Sequence, residues 1–461
     1  MAASIETLLS EISELEDPID ELKSLRTAVF SIPLSALRDT PCCTRLDVIF
    51  ARLNTTDREQ IDVCVEVLGR VLQAVDPVHV AQNCRSELQI GLNHPHHAVK
   101  VLTLTQIGRI VGNSEAVTQI LNSPEILRNV IHCIREEKMS VAKELIVEIS
   151  SVSPVSLGYC ADSGFLSQLL GELTGDDVLV RVTAVEMVTN LAQSQHGRQY
   201  LSQQGIMDKI SNMIIAAESD PFSSLYLPGL VKFFGNLAIM DSPQQVCENY
   251  PAFLSTVFSM AMNSDPTLTP VALDTLGVLG STVEGKQVLH KTGEKFKSVL
   301  KRISQLARDG ATELRVRSLE ALALLLTLPV EQQTDDLLLL TESWFSCLSS
   351  QPMDMIRNIS SQPFPELHCG ALRIFSAIAC QPWGQRLMVA TPGFVEWVVD
   401  RSVGVGKEAK DCKFELVGAL LSSSSTQEIM GAQTYLRLRT YLKEGPYYVN
   451  AVSSVTTEGA D

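Results

Sequence analysis

Aromatic residues make up only 5% of this 461-residue chain, and its 37 lysines and arginines fall well short of its 53 aspartates and glutamates. The net charge of −16 argues against nucleic-acid binding, where basic side chains neutralise phosphates. It disfavours an anionic membrane surface for the same reason. An acidic surface keeps a protein soluble, and it also suits a basic protein partner. No apolar run approaches the roughly 18 residues that span a bilayer. Leu319 to Val330 is the longest, and Glu320, Thr327 and Pro329 interrupt it. No lysine or arginine precedes Lys23, so neither a signal peptide nor a transit peptide fits the start. The 11 cysteines contain no CxxC pair. Buried free thiols in a reducing compartment are expected, with a redox role for the vicinal Cys42 and Cys43 the lesser reading. GxSxG and HExxH are missing too, and no enzyme is expected.

What the chain has in abundance is leucine, valine, isoleucine and alanine at helical spacing. Residues 176–206 show the pattern. Asp177 is placed to cap a helix whose apolar positions Val180, Ala184, Val185, Val188, Leu191 and Ala192 lie on one side. The polar run from Gln193 to Gly197 breaks it, and a second short helix runs until Gly205. Such a hairpin cannot bury its own apolar face and needs neighbours of the same shape. At the start of the chain, Ile5, Leu8, Leu9, Ile12, Leu15, Ile19, Leu22, Leu25 and Val29 keep the same spacing, with a kink expected at Pro18. Seven acids among the first 21 residues suit the polar outer face of a terminal cap.

The neighbours exist. Segments resembling the first helix of that hairpin end near Leu72, Val111, Ser150, Ala192, Ala238, Gly280, Leu326, Ala379 and, more weakly, Leu421. The steps between them are 39, 39, 42, 46, 42, 46, 53 and 42 residues, the period of armadillo and HEAT units. The step of 53 contains Pro329, Pro352, Pro363 and Pro365, and a loop insertion is expected there. GRQYL (197–201), GKQVL (285–289) and GQRLM (384–388) recur at a common offset, each followed by a further glycine at Gly205, Gly293 or Gly393. The expected fold is therefore all-α, an armadillo/HEAT-like α-solenoid of about nine helical repeats. Its expected parts are an N-terminal helical cap (1–40), the solenoid (41–443, with the insertion at about 329–365) and an extended or disordered tail (444–461).

Candidate sites are few. GSTVEGKQ (280–287) approaches the phosphate-binding loop, but Gln287 stands where a serine or threonine would hold magnesium, and a helix precedes it where a strand is required. GVGKE (404–408) fails likewise at Glu408. His94, His96 and His97 cluster in NHPHH, with no second ligand pair near in sequence; ordinary turn residues are the better reading. Asp176–Asp177 and Asp335–Asp336 precede helices, where the dipole favours acids. No metal, nucleotide or other cofactor is expected. Asn190 and Asn236 sit just before their Leu-Ala marks, in TNLA and GNLA. In armadillo arrays an asparagine ladder there pairs with the backbone of an extended peptide. The equivalent positions elsewhere are Arg109, Glu148, Val278, Leu324 and Ala377, so the ladder has two rungs. Capping or bridging of adjacent helices is the alternative role.

Several long stretches are more specific. GLNHPHHAVKVLTLTQIGRIVGNSEAVTQILN (91–122), SDPFSSLYLPGLVKFFGNLAIMDSPQQVCENYP (219–251), EQQTDDLLLLTESWF (331–345), SSQPFPELHCGALRIFSAIACQPWGQRLM (360–388) and YLRLRTYLKEGPYYV (435–449) resemble the proteasome non-ATPase regulatory subunit 5 family. The resemblance implies an assembly chaperone for the base of the proteasome's regulatory particle, absent from the finished particle. Its implied partner is the C-terminal domain of ATPase regulatory subunit 7, with regulatory subunit 4 and non-ATPase subunit 2 joining the module. The expected compartment is the cytosol, with the nucleus as a second. The family is one repeat longer, and the join is expected within SVAKELIVEISS (140–151), near Lys143. A peptide-binding adaptor resembling nuclear-import receptors, using Asn190 and Asn236, is the alternative function. Removal of Met1 and acetylation of Ala2 are also expected.

Overall fold

The computed structural model describes residues 2–135 and 140–449. Among the described residues there are 32 α-helices, two short 3-10 turns and no strand. They fall into two compact units, Met1–Ile206 and Met207–Asp461. All nine repeat segments lie on helices. In the first unit these are Arg58–Ala74, His97–Val111, Ser140–Val152 and Val178–Leu191. In the second they are Ser223–Met240, Thr269–Leu279, Thr312–Leu326, Pro365–Ala379 and Lys407–Ser422. Two further α-helices stand between each consecutive pair. The unit of repetition is thus three helices.

Within each unit, neighbouring repeat helices pack side by side. Their apolar faces form the core. Leu367, Leu372, Ile374, Phe375 and Ile378 of the Pro365–Ala379 helix are all fully buried, and each such side chain is worth roughly 1.5–3 kcal/mol in burial. Helix starts are marked by the short polar side chains that accept from otherwise unpaired backbone N–H groups. Asp177 Oδ1 accepts from Leu179 N at 2.9 Å and from Val180 N at 3.3 Å. Ser194, Thr282 and Thr334 do the same at their own helices.

The glycine that recurs after three of the nine repeat helices has a steric cause. A Cβ on Gly197 would lie 1.9 Å from Leu191 O, one on Gly285 1.7 Å from Leu279 O, and one on Gly384 2.2 Å from Ile378 O. Only glycine lets the second helix of the unit close against the end of the first. The residue after it then reaches back to cap that end. Arg198 donates to Ala192 O at 3.0 Å, Gln385 Nε2 to Ala379 O at 2.9 Å, and Lys286 Nζ to Gly280 O. Ala192, Gly280 and Ala379 are the repeat marks themselves.

Three expectations change. At Pro18 the chain breaks outright, giving separate helices Ala2–Glu14 and Ile19–Ser31. The second lies on the Arg58–Ala74 helix, with Lys23–Glu59 and Arg26–Glu66 ion pairs between them. The expected insertion at 329–365 is not a loop, since it carries the helices Asp335–Ser346 and Pro352–Ser360. Pro352 and Pro365 begin helices, where a missing N–H costs nothing. Of the expected tail, residues 445–449 fold back. Tyr447 Oη donates to Asp411 at 2.5 Å, and the Arg401 guanidinium lies 3.8 Å from the Tyr441 ring centre and 5.3 Å from that of Tyr448. Residues 450–461 lie outside the described residues.

Candidate partner-binding site

A groove of about 690 Å³ crosses three consecutive repeat helices of the first unit. His97–Val111 supplies Gly108 and Val111. Ser140–Val152 supplies Glu144, Val147, Glu148 and Val152, and Val178–Leu191 supplies Thr183, Glu186, Met187 and Asn190. Helical spacing explains the lining. Glu144 and Glu148, and Glu186 and Asn190, are four residues apart and so share a face. Gly108 opens the near wall, and a Cβ there would lie 3.8 Å from Glu148 Oε2. Val147 and Met187 are buried and form the floor.

The groove is acidic. Three carboxylates and no lysine or arginine line it. Glu148 is held above the usual carboxylate range, first by its desolvation against the groove wall and then by the neighbouring charge of Glu144. Lys143, next to Glu144 in sequence, is committed to Glu172, with its Nζ 3.0 Å from both carboxylate oxygens. Asn190 is exposed at the rim. Among the described residues its amide has no hydrogen-bond partner, and neither has that of Asn236 in the second unit. No capping or bridging hydrogen bond from either asparagine is therefore seen among the described residues; Asn190 is exposed and Asn236 half-buried.

The ladder does not continue. Arg109 is spent on the preceding repeat, donating to Val75 O at 3.0 Å and to Leu72 O. Val278 and Leu324 are exposed apolar residues, and Ala377 is buried. The histidine cluster is structural. His94 Nδ1 accepts from His96 N at 3.0 Å, which leaves Nε2–H to donate to Leu53 O at 2.9 Å. No group of three metal-ligating side chains occurs among the described residues. Lys286 of the apparent phosphate loop is fully buried. Its ammonium is aimed at Gly280 O and Leu324 O, and burial pulls its pKa down to about 8. Cys42 is buried and its thiol is pushed up to about 11, the opposite of a reactive cysteine.

Sequence reasoning named Asn190, and Glu148 only as an equivalent ladder position, and did not bring Glu144, Glu148 and Glu186 together. The available signal was the i, i+4 spacing of Glu144 with Glu148 beside that of Glu186 with Asn190.

Comparison with known proteins adds the lineage. The family model described as "Proteasome non-ATPase 26S subunit" matches residues 1–146 and 144–461. The chain belongs to that family. The 26S proteasome non-ATPase regulatory subunit 5 of Homo sapiens is 54% identical, over all of both chains, and that of Bos taurus is 54% identical over all of both chains. Among solved structures, a chain of the Kap95:Nup1 complex aligns with a TM-score of 0.64 and 12% identity, covering 96% of this chain and 56% of that one. That likeness shows the fold, a HEAT/armadillo-type helical solenoid.

The alignment to the human relative runs over 504 positions, 43 more than the 461 residues here. That is the length of one repeat. The family model's two matches meet at residues 144–146, inside the Ser140–Val152 helix. Across this junction the core is intact. Ala142, Ile146 and Ile149 are fully buried, as is Ser150, whose carbonyl accepts from His196 Nε2 at 2.8 Å. The groove is thus lined by residues from both sides of the junction. Gly108 and Val111 belong to the first match alone and Glu148 to the second alone, while Glu144 lies in their overlap.

Proposed function

We propose that this chain is a chaperone or scaffold in assembly of the base of the proteasome's regulatory particle. It holds the C-terminal domain of ATPase regulatory subunit 7, in a module with regulatory subunit 4 and non-ATPase subunit 2, and leaves before the particle is complete. The observation that carries this reading is the 54% identity, over all of both chains, to human non-ATPase regulatory subunit 5. The fold suits the task, because a stack of helices offers wide surfaces for spread contacts without a catalytic centre. The acidic groove beside Asn190 is the partner face, and a basic patch is its complement. No helix of the described residues is long and apolar enough to cross a membrane. The compartment proposed is the cytosol, with the nucleus as a second.

Co-purification with regulatory subunit 7 tests the proposal. Complex formation at micromolar concentration is expected, weakened by E144Q/E148Q/E186Q. No complex with the purified partner at that concentration refutes it for this chain. A peptide-binding adaptor is the second reading, favoured by the two unpartnered amides of Asn190 and Asn236. It requires that N190A/N236A abolish capture of an extended peptide while helicity is unchanged.

A further inference from the structure

A second feature of the first unit shares no lining residue with the acidic groove. The helices Leu46–Ala51, Arg85–Leu92 and His97–Val111 enclose an open cavity of about 450 Å³. Phe50, Leu53, Ile90, Val99 and Leu102 supply the apolar part of its walls. A neighbouring depression of about 700 Å³ shares Asn54, Ile90 and His94 with it. Ile90 lines both and is 66% exposed, so it adds open apolar surface to the cavity's side of a depression that is otherwise mostly polar.

The cavity is preformed. A Cβ on Gly91 would lie 2.2 Å from Thr103 Oγ1, so the two helices are in close contact there. His94 pins the adjoining loop to Leu53 O at 2.9 Å. Preorganisation of this kind lowers the cost of binding.

Its charge is one-sided. Asp47 and Glu87 line it, and no lysine or arginine lines either depression. Among the described residues neither carboxylate has a basic partner. Glu87 is half-buried, and its side chain receives a hydrogen bond from Ser86 Oγ at 3.0 Å. A partly desolvated carboxylate with no cation beside it is a place where an incoming cation gains more than it would in water.

We infer that this cavity docks an amphipathic helical segment of a partner protein, with leucine- or isoleucine-type anchors entering beside Ile90 and a flanking lysine or arginine meeting Asp47 and Glu87. A cavity of about 150 Å³ accepts a benzene ring, so three times that volume has room for two or three anchors on successive turns. Helical backbones form its walls, their N–H and C=O groups are paired internally, and an added strand would find no edge to extend. Apolar burial supplies the affinity, and the two carboxylates select the sign of the partner's charge.

The test uses the full chain and fluorescence anisotropy with a labelled helical peptide of leucine and lysine, about four turns long. A leucine–glutamate peptide of the same pattern is the counterpart. Micromolar binding of the lysine peptide is expected, with the glutamate peptide at least tenfold weaker. D47K/E87K and, separately, I90D each weaken the lysine peptide at least tenfold. E14K/D17K makes the same change in net charge on exposed residues elsewhere and stays within twofold. Should I90D lose helical ellipticity, I90S carries that arm. The inference is overturned if D47K/E87K behaves like E14K/D17K, if both peptides bind equally, or if the wild-type chain binds neither. Because the two surfaces share no residue, loss of regulatory subunit 7 binding in the groove variants leaves this result unaffected.

Discussion

Gly197 and Gly205 stand eight residues apart in one unit, and each is glycine for a different physical reason. Gly197 is buried, and an added Cβ would lie 1.9 Å from Leu191 O and 2.7 Å from Ser194 Oγ. Relieving that clash means moving the Gln195–Gln203 helix away from the end of the Val178–Leu191 helix by more than an ångström. The movement also breaks the Ser194 cap on Gly197 N and the Arg198 bonds to Ala192 O and Gln193 O. Overpacking costs about 1–3 kcal/mol and a lost cap about 1 kcal/mol, so G197A is expected to destabilise by about 3 kcal/mol. Gly205 has open space around its missing Cβ but a φ of +70°. Its alanine costs about 1–2 kcal/mol in the left-handed region, offset by about 0.4–1 kcal/mol from a stiffer unfolded chain. About 1 kcal/mol remains. Asparagine separates the two causes. It tolerates left-handed backbone, so G205N recovers much of the loss, while G197N is worse than G197A. Urea unfolding by far-UV circular dichroism measures the totals, and hydrogen exchange over residues 178–216 localises them. If G197A costs no more than G205A, or G197N is milder than G197A, the steric account of the repeated glycine is wrong.

Other outcomes are open to measurement. Lys286 is fully buried and its pKa lies at about 8, against 10.5 for the free group. Its folded-state pKa is depressed, so the unfolded chain binds the extra proton, and stability rises as pH climbs from about 8 towards 10.5. Between pH 7 and 9.5 the wild-type chain should gain about 2 kcal/mol relative to K286M. A constant difference between their urea midpoints would refute it. The junction helix should be as well packed as any other. I146A is expected to cost about 2–5 kcal/mol, in the same range as L191A one repeat later, and a loss under about 1 kcal/mol would show a loose splice. Intact-mass measurement should find Met1 removed and Ala2 acetylated; a mass that retains Met1 contradicts this.

The repeats were legible because a helix that must bury one face has to place apolar residues at helical spacing. Asp177, Gly197 and Gly205 were legible for the same local reason, as caps and turns answer to their own few residues. The segment 329–365 was misread for an equally local cause. Proline marks loops and helix starts alike, and Pro352 and Pro365 are starts. GSTVEGKQ is set aside as a phosphate loop by Gln287 and by the helix before it, and the structure assigns Lys286 to the ends of two helices.

By itself the sequence determined the helical class, the repeat period, the position of the junction and the family. All of these depend on spacing along the chain or on identity with relatives. Tertiary structure decided which faces meet. Glu144 and Glu148 become a groove with Glu186 and Asn190 only because three repeat helices lie side by side. The cavity beside Asp47 and Glu87 forms where three helices meet, with Gly91 in close contact with Thr103. The reason is geometric. A period states that a face is buried, but the partner of that face, and the space left between them, depends on the angle and distance at which helices pack.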